Sequence, residues 1–254
     1  MKETIIITGA GSGIGAESAR KLSKKGYQIV LLGRNTDKLQ DVMRSLENPG
    51  DHLAFSCDIS SQESVRAAYS EAHLADKNVV ALFANAGIGG ENTYSESDRW
   101  SEILSTNLDG TYFTIMEALP LLEMSQRKVT NVVITSSCLA RFGVPNYTAY
   151  CTSKAGLLGL TRSLAVELAS KNILVNAICP GWVDTKMARD GIQLLADRMD
   201  QPYDTTFSQQ MDMVPTGRMS NPGEIANLVD YLVNPEQKSI TGQALDINNG
   251  SFMI

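Results

Sequence analysis

A chain of 254 residues, 43% hydrophobic and 20% charged, can bury one sizeable core and falls in the range where α/β proteins stay a single domain. Its net charge of −6 supplies no basic stripe for nucleic acid and no polybasic anchor for a membrane surface, and no apolar run approaches transmembrane length. Four scattered cysteines (Cys57, Cys138, Cys151, Cys179) and only two histidines, His52 and His73, argue against a His/Cys metal site and for separate thiols in a reducing compartment. The chain runs from Met1 straight into Ile5-Ile6-Ile7, too little for the apolar stretch of a signal peptide. The expectation is a cytoplasmic protein without metal.

Residues 4–8 are a β-branched run of the kind a buried parallel strand shows. Gly9-Ala10-Gly11-Ser12-Gly13-Ile14-Gly15 follows, then a helical pattern over 16–25 ended by Gly26, and a second apolar run over 27–32. That is a βαβ unit with a glycine-rich first turn. Some of its glycines allow the tight turn, and others let backbone N–H groups approach a pyrophosphate at the helix N-terminus. The spacing is G-x-x-x-G-x-G, and with a strand before and a helix after it predicts a dinucleotide site. Where a carboxylate would hold the ribose 2′-hydroxyl of NAD, the second strand ends in Gly33-Arg34. Without an acid to repel a 2′-phosphate, and with a guanidinium to pair with it, NADP(H) is favoured and NAD(H) is the alternative.

The alternation continues with a helix over 36–46, broken at Asn48-Pro49-Gly50, and a strand over 52–57 with Asp58 directly after it. Ser60 or Ser61 caps a helix running to about residue 74. A strand over 79–84 ends in Asn85-Ala86-Gly87, at the edge where ligands bind in open α/β sheets. A long helix is expected from near Glu96, with Asn107 in its middle facing solvent or its own backbone. The strand over 129–135 delivers Ser136 and Ser137, and a helix to about residue 171 follows the loop 141–146. A strand over 173–178 ends at Cys179-Pro180-Gly181. Residues 182–214, rich in Met, Asp and Gln, read as a helical insertion suited to a substrate lid. Asn221 and Pro222 open the last helix as N-cap and first residue, and 241–247 is the final strand. Strands alternating with helices throughout predict one doubly wound, Rossmann-type parallel sheet of about seven strands with helices on both faces.

The candidate chemistry lies in Tyr150-Cys151-Thr152-Ser153-Lys154. A tyrosine and a lysine four apart share one face of a helix, roughly 6 Å apart. An ammonium at that range favours phenolate and is expected to pull the tyrosine below its ordinary pKa, towards the operating pH of an acid–base catalyst.

These motifs in this order resemble the short-chain dehydrogenase/reductase family over essentially the whole chain: Thr8-Gly9-x-x-x-Gly13-Ile14-Gly15, Asp58, Asn85-Ala86-Gly87, Asn107, Ser137, Tyr150-x-x-x-Lys154, Pro180-Gly181 with Thr185, and Ile240-Thr241-Gly242. The resemblance implies a hydride-transfer enzyme interconverting a small carbonyl compound and its secondary alcohol. Tyr150 would be the general acid in reduction and the base in reverse. Lys154 would tune it and hold the nicotinamide ribose, Ser137 would hydrogen-bond the substrate oxygen, and Asn107 would keep a water in a proton relay to the lysine. Gly9, Ser12 and Ile14 would lie along the pyrophosphate, Asp58 at the adenine and Asn85 near its ribose, with Thr185 and the backbone of Val183 at the nicotinamide. Most relatives of this length are tetramers built on the two long helices, so a homotetramer or homodimer is implied. Asn248-Asn249-Gly250 departs from the family's Asp-Gly-Gly. Ser12 stands where many NADP-preferring relatives carry a second basic residue.

The residues expected to line the substrate pocket are Leu139, Arg141, Val144, Asn146, Tyr147, Trp182 and parts of 187–213, with Arg141 and Trp182 as candidate specificity handles, although a solvated surface side chain is the favoured reading of Arg141. Alternative readings are an NAD-dependent alcohol dehydrogenase, a dinucleotide sensor that has lost its chemistry, and a sugar-nucleotide epimerase or dehydratase. The intact Tyr150, Lys154, Ser137 and Asn107 argue against the sensor, and the chain length against the last.

Overall fold

The computed structural model describes residues 1–93 and 95–253. Its strands are β1 (Glu3–Thr8), β2 (Gln28–Gly33), β3 (Leu53–Ser56), β4 (Asn78–Ala84), β5 (Thr130–Thr135), β6 (Ile173–Pro180) and β7 (Ala244–Ile247). They form one parallel sheet in the order β3-β2-β1-β4-β5-β6-β7. The register of β1 runs from Thr4 opposite Gln28 to Thr8 opposite Leu32 on one side, and from Ile5 opposite Ala81 to Ile7 opposite Phe83 on the other. Strand order reverses between β1 and β4, which opens a crevice beyond their C-terminal ends.

Alternate residues of each strand feed two cores. Ile6, Val30 and Leu32 join the helices α3 (Gln62–Glu71), α5 (Gly110–Glu123) and α6 (Thr148–Leu168) through Val65, Ile115 and Leu157. Ile5, Ile7, Ile29 and Leu31 face α1 (Gly13–Lys24), α2 (Thr36–Arg44) and α9 (Pro222–Val233) through Leu22, Leu39 and Val229. With both faces covered, β4 has no exposed residue, which is why its sequence reads as a continuous apolar run.

Several boundaries differ from expectation. The long helix starts at Trp100, not near Glu96, and is built of α4 (Trp100–Leu104), a π-helical turn (Ser105–Asp109) and α5. The last strand begins at Ala244: the Thr241 hydroxyl accepts from Val175 N–H at 3.1 Å, and Gly242, at φ +70°, turns the chain before the ladder forms. Helix α6 stops at Leu168 and passes into a 3-10 turn over Ala169–Lys171. At α9 the expected cap is present. Asn221 Oδ1 accepts from Gly223 N–H at 2.8 Å, and Glu224 Oε2 accepts from Asn221 N–H at 2.7 Å.

Between β6 and α9 lie α7 (Lys186–Met199) and α8 (Tyr203–Asp212). They close a small core of their own around Ile192, Met211 and Val214. No helix among the described residues is long and apolar enough to cross a membrane.

Candidate active site

Strand β5 ends at Thr135, and the next two residues turn both of their hydroxyls to use. The Ser136 hydroxyl donates to the Lys154 carbonyl at 2.8 Å, pinning α6 to the strand end. Ser137 Oγ accepts from Leu139 N–H at 3.1 Å at the head of a short 3-10 turn. A hydroxyl has one proton and two lone pairs, so this bond leaves the Ser137 proton free to donate. Lys154 is 4% exposed, and its Nζ donates to the Thr135 carbonyl at 2.9 Å. A Cβ added at Gly87 would lie 3.4 Å from that ammonium and 3.1 Å from Asn107 Oδ1, so the glycine keeps this corner open. Lys154 Nζ stands 5.6 Å from the centre of the Tyr150 ring, and Tyr147 packs edge-on against that ring with centroids 6.3 Å apart.

The electrostatics reverse the sequence-based expectation for the tyrosine. Burial pushes the Tyr150 phenol up to about 12, with the Ser137 hydroxyl as the opposing influence. Burial also pushes the Lys154 ammonium down to about 8. Removal from water disfavours the charged form of each group, and for both it is the largest influence. Tyr150 is therefore a phenol at neutral pH, while Lys154 keeps most of its charge.

Asn107 is fully buried, contrary to the expected solvent-facing helical asparagine. Its Oδ1 accepts from Ile88 N–H at 2.8 Å, and its Nδ2 donates to the Ile88 carbonyl at 2.9 Å and to Ser153 Oγ at 3.1 Å. The side chain clasps the segment after β4 to α6. It sits in the π-helical turn, where an extra residue re-aims the helix, a feature common at functional sites.

The cofactor residues line the C-terminal edge. Gly9, at φ +65°, approaches so closely that a Cβ would fall 2.8 Å from Ala86 Cα, and one on Gly15 would fall 2.3 Å from the Gly9 carbonyl oxygen. No side chain caps α1 and no acid stands in its first turn, so its N-terminal N–H groups are left for an anion. This cradle fits a dinucleotide pyrophosphate. Ser12 is exposed at its rim and Ile14 half-buried. Thr8 Oγ accepts from the N–H groups of both Asn85 and Ala86 at 3.0 Å. The Asn85 side chain donates to the Thr8 carbonyl at 3.2 Å and accepts from the Thr135 hydroxyl at 3.1 Å, tying three strand ends together rather than reaching outward.

Arg34 is exposed at the end of β2. Asp58 lies beyond β3 with one carboxylate oxygen held by Ser60. Beyond Pro180 and Gly181, Ser220 bonds the Trp182 carbonyl and the Asp184 N–H. The N–H and C=O of Val183, between them, point the other way. Thr185 caps α7 by accepting from Ala188 N–H, and its methyl would stand 3.0 Å from a Cβ on Gly13, so the glycine loop and the α7 entry face each other. The unusual C-terminal asparagines brace this loop. Asn248 packs on Gly181, and Asn249, at φ +56°, donates to the Arg218 carbonyl and Ser220 Oγ.

Two expected pocket residues are used otherwise. Arg141 donates to Asp246 at 3.2 Å and to the Ala244 carbonyl at 3.0 Å, so its guanidinium fastens β7 instead of offering a substrate handle. Trp182 packs into the small core of α7 and α8. Leu139, Val144 and Tyr147 are half-buried on the loop beside Tyr150. A cavity of about 450 Å³ opens among Asp184, Arg189, Tyr203, Phe207 and Arg218, away from Tyr150. Sequence reasoning missed the work of Thr8, Thr135, Ser136, Ser153 and Asn92. The one signal available was a hydroxyl residue at the C-terminal end of β1 and of β5.

A short-chain dehydrogenase/reductase family model described as Enoyl-(Acyl carrier protein) reductase matches residues 9–251. A putative ketoacyl reductase of Streptomyces coelicolor is 32% identical over 251 residues, covering 98% of this chain and 96% of the relative. The 3-oxoacyl-[acyl-carrier-protein] reductase FabG of Staphylococcus aureus is 30% identical, covering 100% and 99%. Among solved structures, a variant of actinorhodin polyketide ketoreductase with NADPH superposes with a TM-score of 0.92 at 32% identity, covering 98% of this chain and 97% of that one. The chain belongs to the short-chain dehydrogenase/reductase family. It is an enzyme of the oxidoreductase class.

Proposed function

We propose that this enzyme is an NADPH-dependent carbonyl reductase whose substrate is a 3-oxoacyl compound, with Tyr150 as the proton donor. The observation that carries the reading is the grouping of Ser137, Tyr150, Lys154 and Asn107 at the edge of the sheet that also holds the glycine cradle. The substrate class rests on relatives and solved structures named for ketoacyl reduction.

A bound nicotinamide dinucleotide supplies the hydride. Gly9, Gly13, Ile14 and Gly15 would hold its pyrophosphate at the α1 N-terminus, with Ser12 at the rim. Arg34 would pair with the 2′-phosphate, a charge-assisted contact with no acid beside it on β2. Asp58, Asn85, Ala86 and Gly87 would wall the adenosine half, and Pro180, Gly181, Val183 and Thr185 the nicotinamide half. Ser137 donates a hydrogen bond to the substrate carbonyl oxygen and keeps its proton. Tyr150, protonated at neutral pH, then gives its proton to that oxygen as negative charge develops. Lys154, still mostly charged at pH 7, stabilises the phenolate left behind. A proton relay through Asn107 would start from this lysine. Leu139, Val144 and Tyr147 form the substrate wall, and α7 with α8 the lid. Tyr112 on α5, Met124 just past its end and Val166 on α6, all exposed, support a homotetramer or homodimer through these helices.

The test measures dissociation constants for NADPH and NADH on wild type and Arg34→Ala, and turnover of an acetoacetyl thioester on wild type and Tyr150→Phe. NADPH is expected to bind at least roughly tenfold tighter than NADH, about 1.4 kcal/mol, with the gap erased in Arg34→Ala. Tyr150→Phe is expected to lose turnover and keep NADPH binding. A Tyr150→Phe variant with full activity refutes the mechanism, and equal binding of the two cofactors refutes the NADPH assignment, leaving an NAD-dependent dehydrogenase.

A further inference from the structure

The catalytic helix begins with a defect. Tyr150 is the third residue of α6, in the first turn, where backbone N–H groups have no intrahelical partner and helices fray. The residue at the N-cap position is Tyr147, which makes no side-chain cap bond. A first turn left in that state would let the tyrosine drift relative to Ser137, which stands on a different element.

The missing cap comes from elsewhere in the chain. Asn92, in the segment after β4, is 2% exposed. Its Oδ1 accepts from Ala149 N–H and from the Thr148 hydroxyl, each at 3.0 Å. Its own N–H donates to the Asn146 carbonyl at 2.8 Å, where Asn146 turns the chain into the helix at φ +64°. The Asn92 side chain thus meets the second helical N–H and the first helical hydroxyl, and its backbone holds the loop before them, immediately ahead of Tyr150. The segment that leads to Asn92 is anchored at two points before it. Ile88 is clasped by Asn107 through both its N–H and its carbonyl, and Glu91 forms an ion pair with Arg198 of α7.

We propose that Asn92 is a positioning residue for Tyr150: it caps the catalytic helix from outside and sets where the phenol sits. The proposal rests on Tyr150 being the proton donor. Lys154 lies one turn deeper and is fixed independently by Thr135 and by the Ser136 bond to its carbonyl. Among the described residues, no hydrogen bond of this network reaches the cofactor cradle at α1. Loss of Asn92 therefore loosens the proton donor and leaves lysine and cofactor in place. A displacement near 1 Å at reacting atoms costs on the order of a hundredfold in rate.

The experiment compares Asn92→Ala and Asn92→Asp with wild type and with Tyr150→Phe. It reads kcat for an acetoacetyl thioester, the NADPH dissociation constant, the melting temperature, and hydrogen exchange in the peptide spanning 146–151. Asn92→Ala is expected to lower kcat by roughly ten- to a hundredfold and to speed exchange at 147–151, with NADPH affinity within about twofold of wild type. Asn92→Asp keeps the accepting oxygen and a residue type favoured at caps, so it is expected to restore most of kcat and of the exchange protection. Should Asn92→Ala fail to fold, Asn92→Ser, with a shorter acceptor, takes its place with the same expectations. Unchanged kcat in the alanine (or serine) variant overturns the proposal. So does a loss of kcat that comes with an equal loss of NADPH affinity and is not rescued by aspartate, because that is general destabilisation. If Tyr150→Phe is inactive while Asn92→Ala is fully active, only this inference fails. If Tyr150→Phe is itself active, the proton-donor reading fails first.

Discussion

Lys154→Met is expected to make the protein more stable and inactive. The ammonium is buried, with the Thr135 carbonyl as its hydrogen-bond partner among the described residues, and burial lowers its pKa from 10.5 to about 8. A fall of that size means the folded state carries a penalty of roughly 3 kcal/mol for the charge at pH 7. Methionine keeps the length and apolar stem and loses one hydrogen bond worth about 1 kcal/mol, so the variant should gain roughly 2 kcal/mol at pH 7. The pH dependence gives the sharper check. Because the folded pKa lies below the unfolded one, the unfolded chain binds the extra proton between pH 8 and 10.5, and wild type gains stability as pH rises through that window. The advantage of Lys154→Met should shrink by about 1 kcal/mol between pH 7 and pH 9, other groups titrating alike in both proteins. Urea denaturation at both pH values and at one fixed protomer concentration measures it. A variant less stable than wild type at pH 7, or an advantage independent of pH, would refute the claim that desolvation dominates this lysine.

Gly15→Ala would place a methyl 2.3 Å from the Gly9 carbonyl oxygen, a backbone atom that cannot yield without opening the loop; NADPH affinity should fall at least roughly tenfold with a stability loss of about 1–3 kcal/mol, checked by fluorescence titration and thermal melting. Thr8→Val removes the acceptor shared by the N–H groups of Asn85 and Ala86 at a site 1% exposed. Leaving those donors unpaired should cost roughly 2–3 kcal/mol in urea denaturation, and a loss under about 0.5 kcal/mol would show that the strand ends are held by something else.

The sequence by itself determined what depends on local pattern. The β-branched and apolar runs of β1, β2 and β4, the glycines between β1 and α1, and the cap residues at α9 each specify their own element, because strand burial, tight turns and helix ends are short-range matters. Alternation of those elements sufficed for a doubly wound parallel sheet. The four-residue spacing of Tyr150 and Lys154 placed both on one helical face for the same reason. The tertiary structure alone decided what depends on burial and on partners distant in the chain. Asn107 reads as an ordinary helical asparagine until packing brings Ile88 and Ser153 to it. The Tyr150 phenol is held up rather than pulled down because its desolvation, invisible in a spacing, outweighs the lowering influence of the Ser137 hydroxyl. Arg141 looked like a free cation beside the pocket until β7 set Asp246 against it. Asn92 carried no motif, since a cap supplied across 57 positions to Ala149 exists only once the chain has folded.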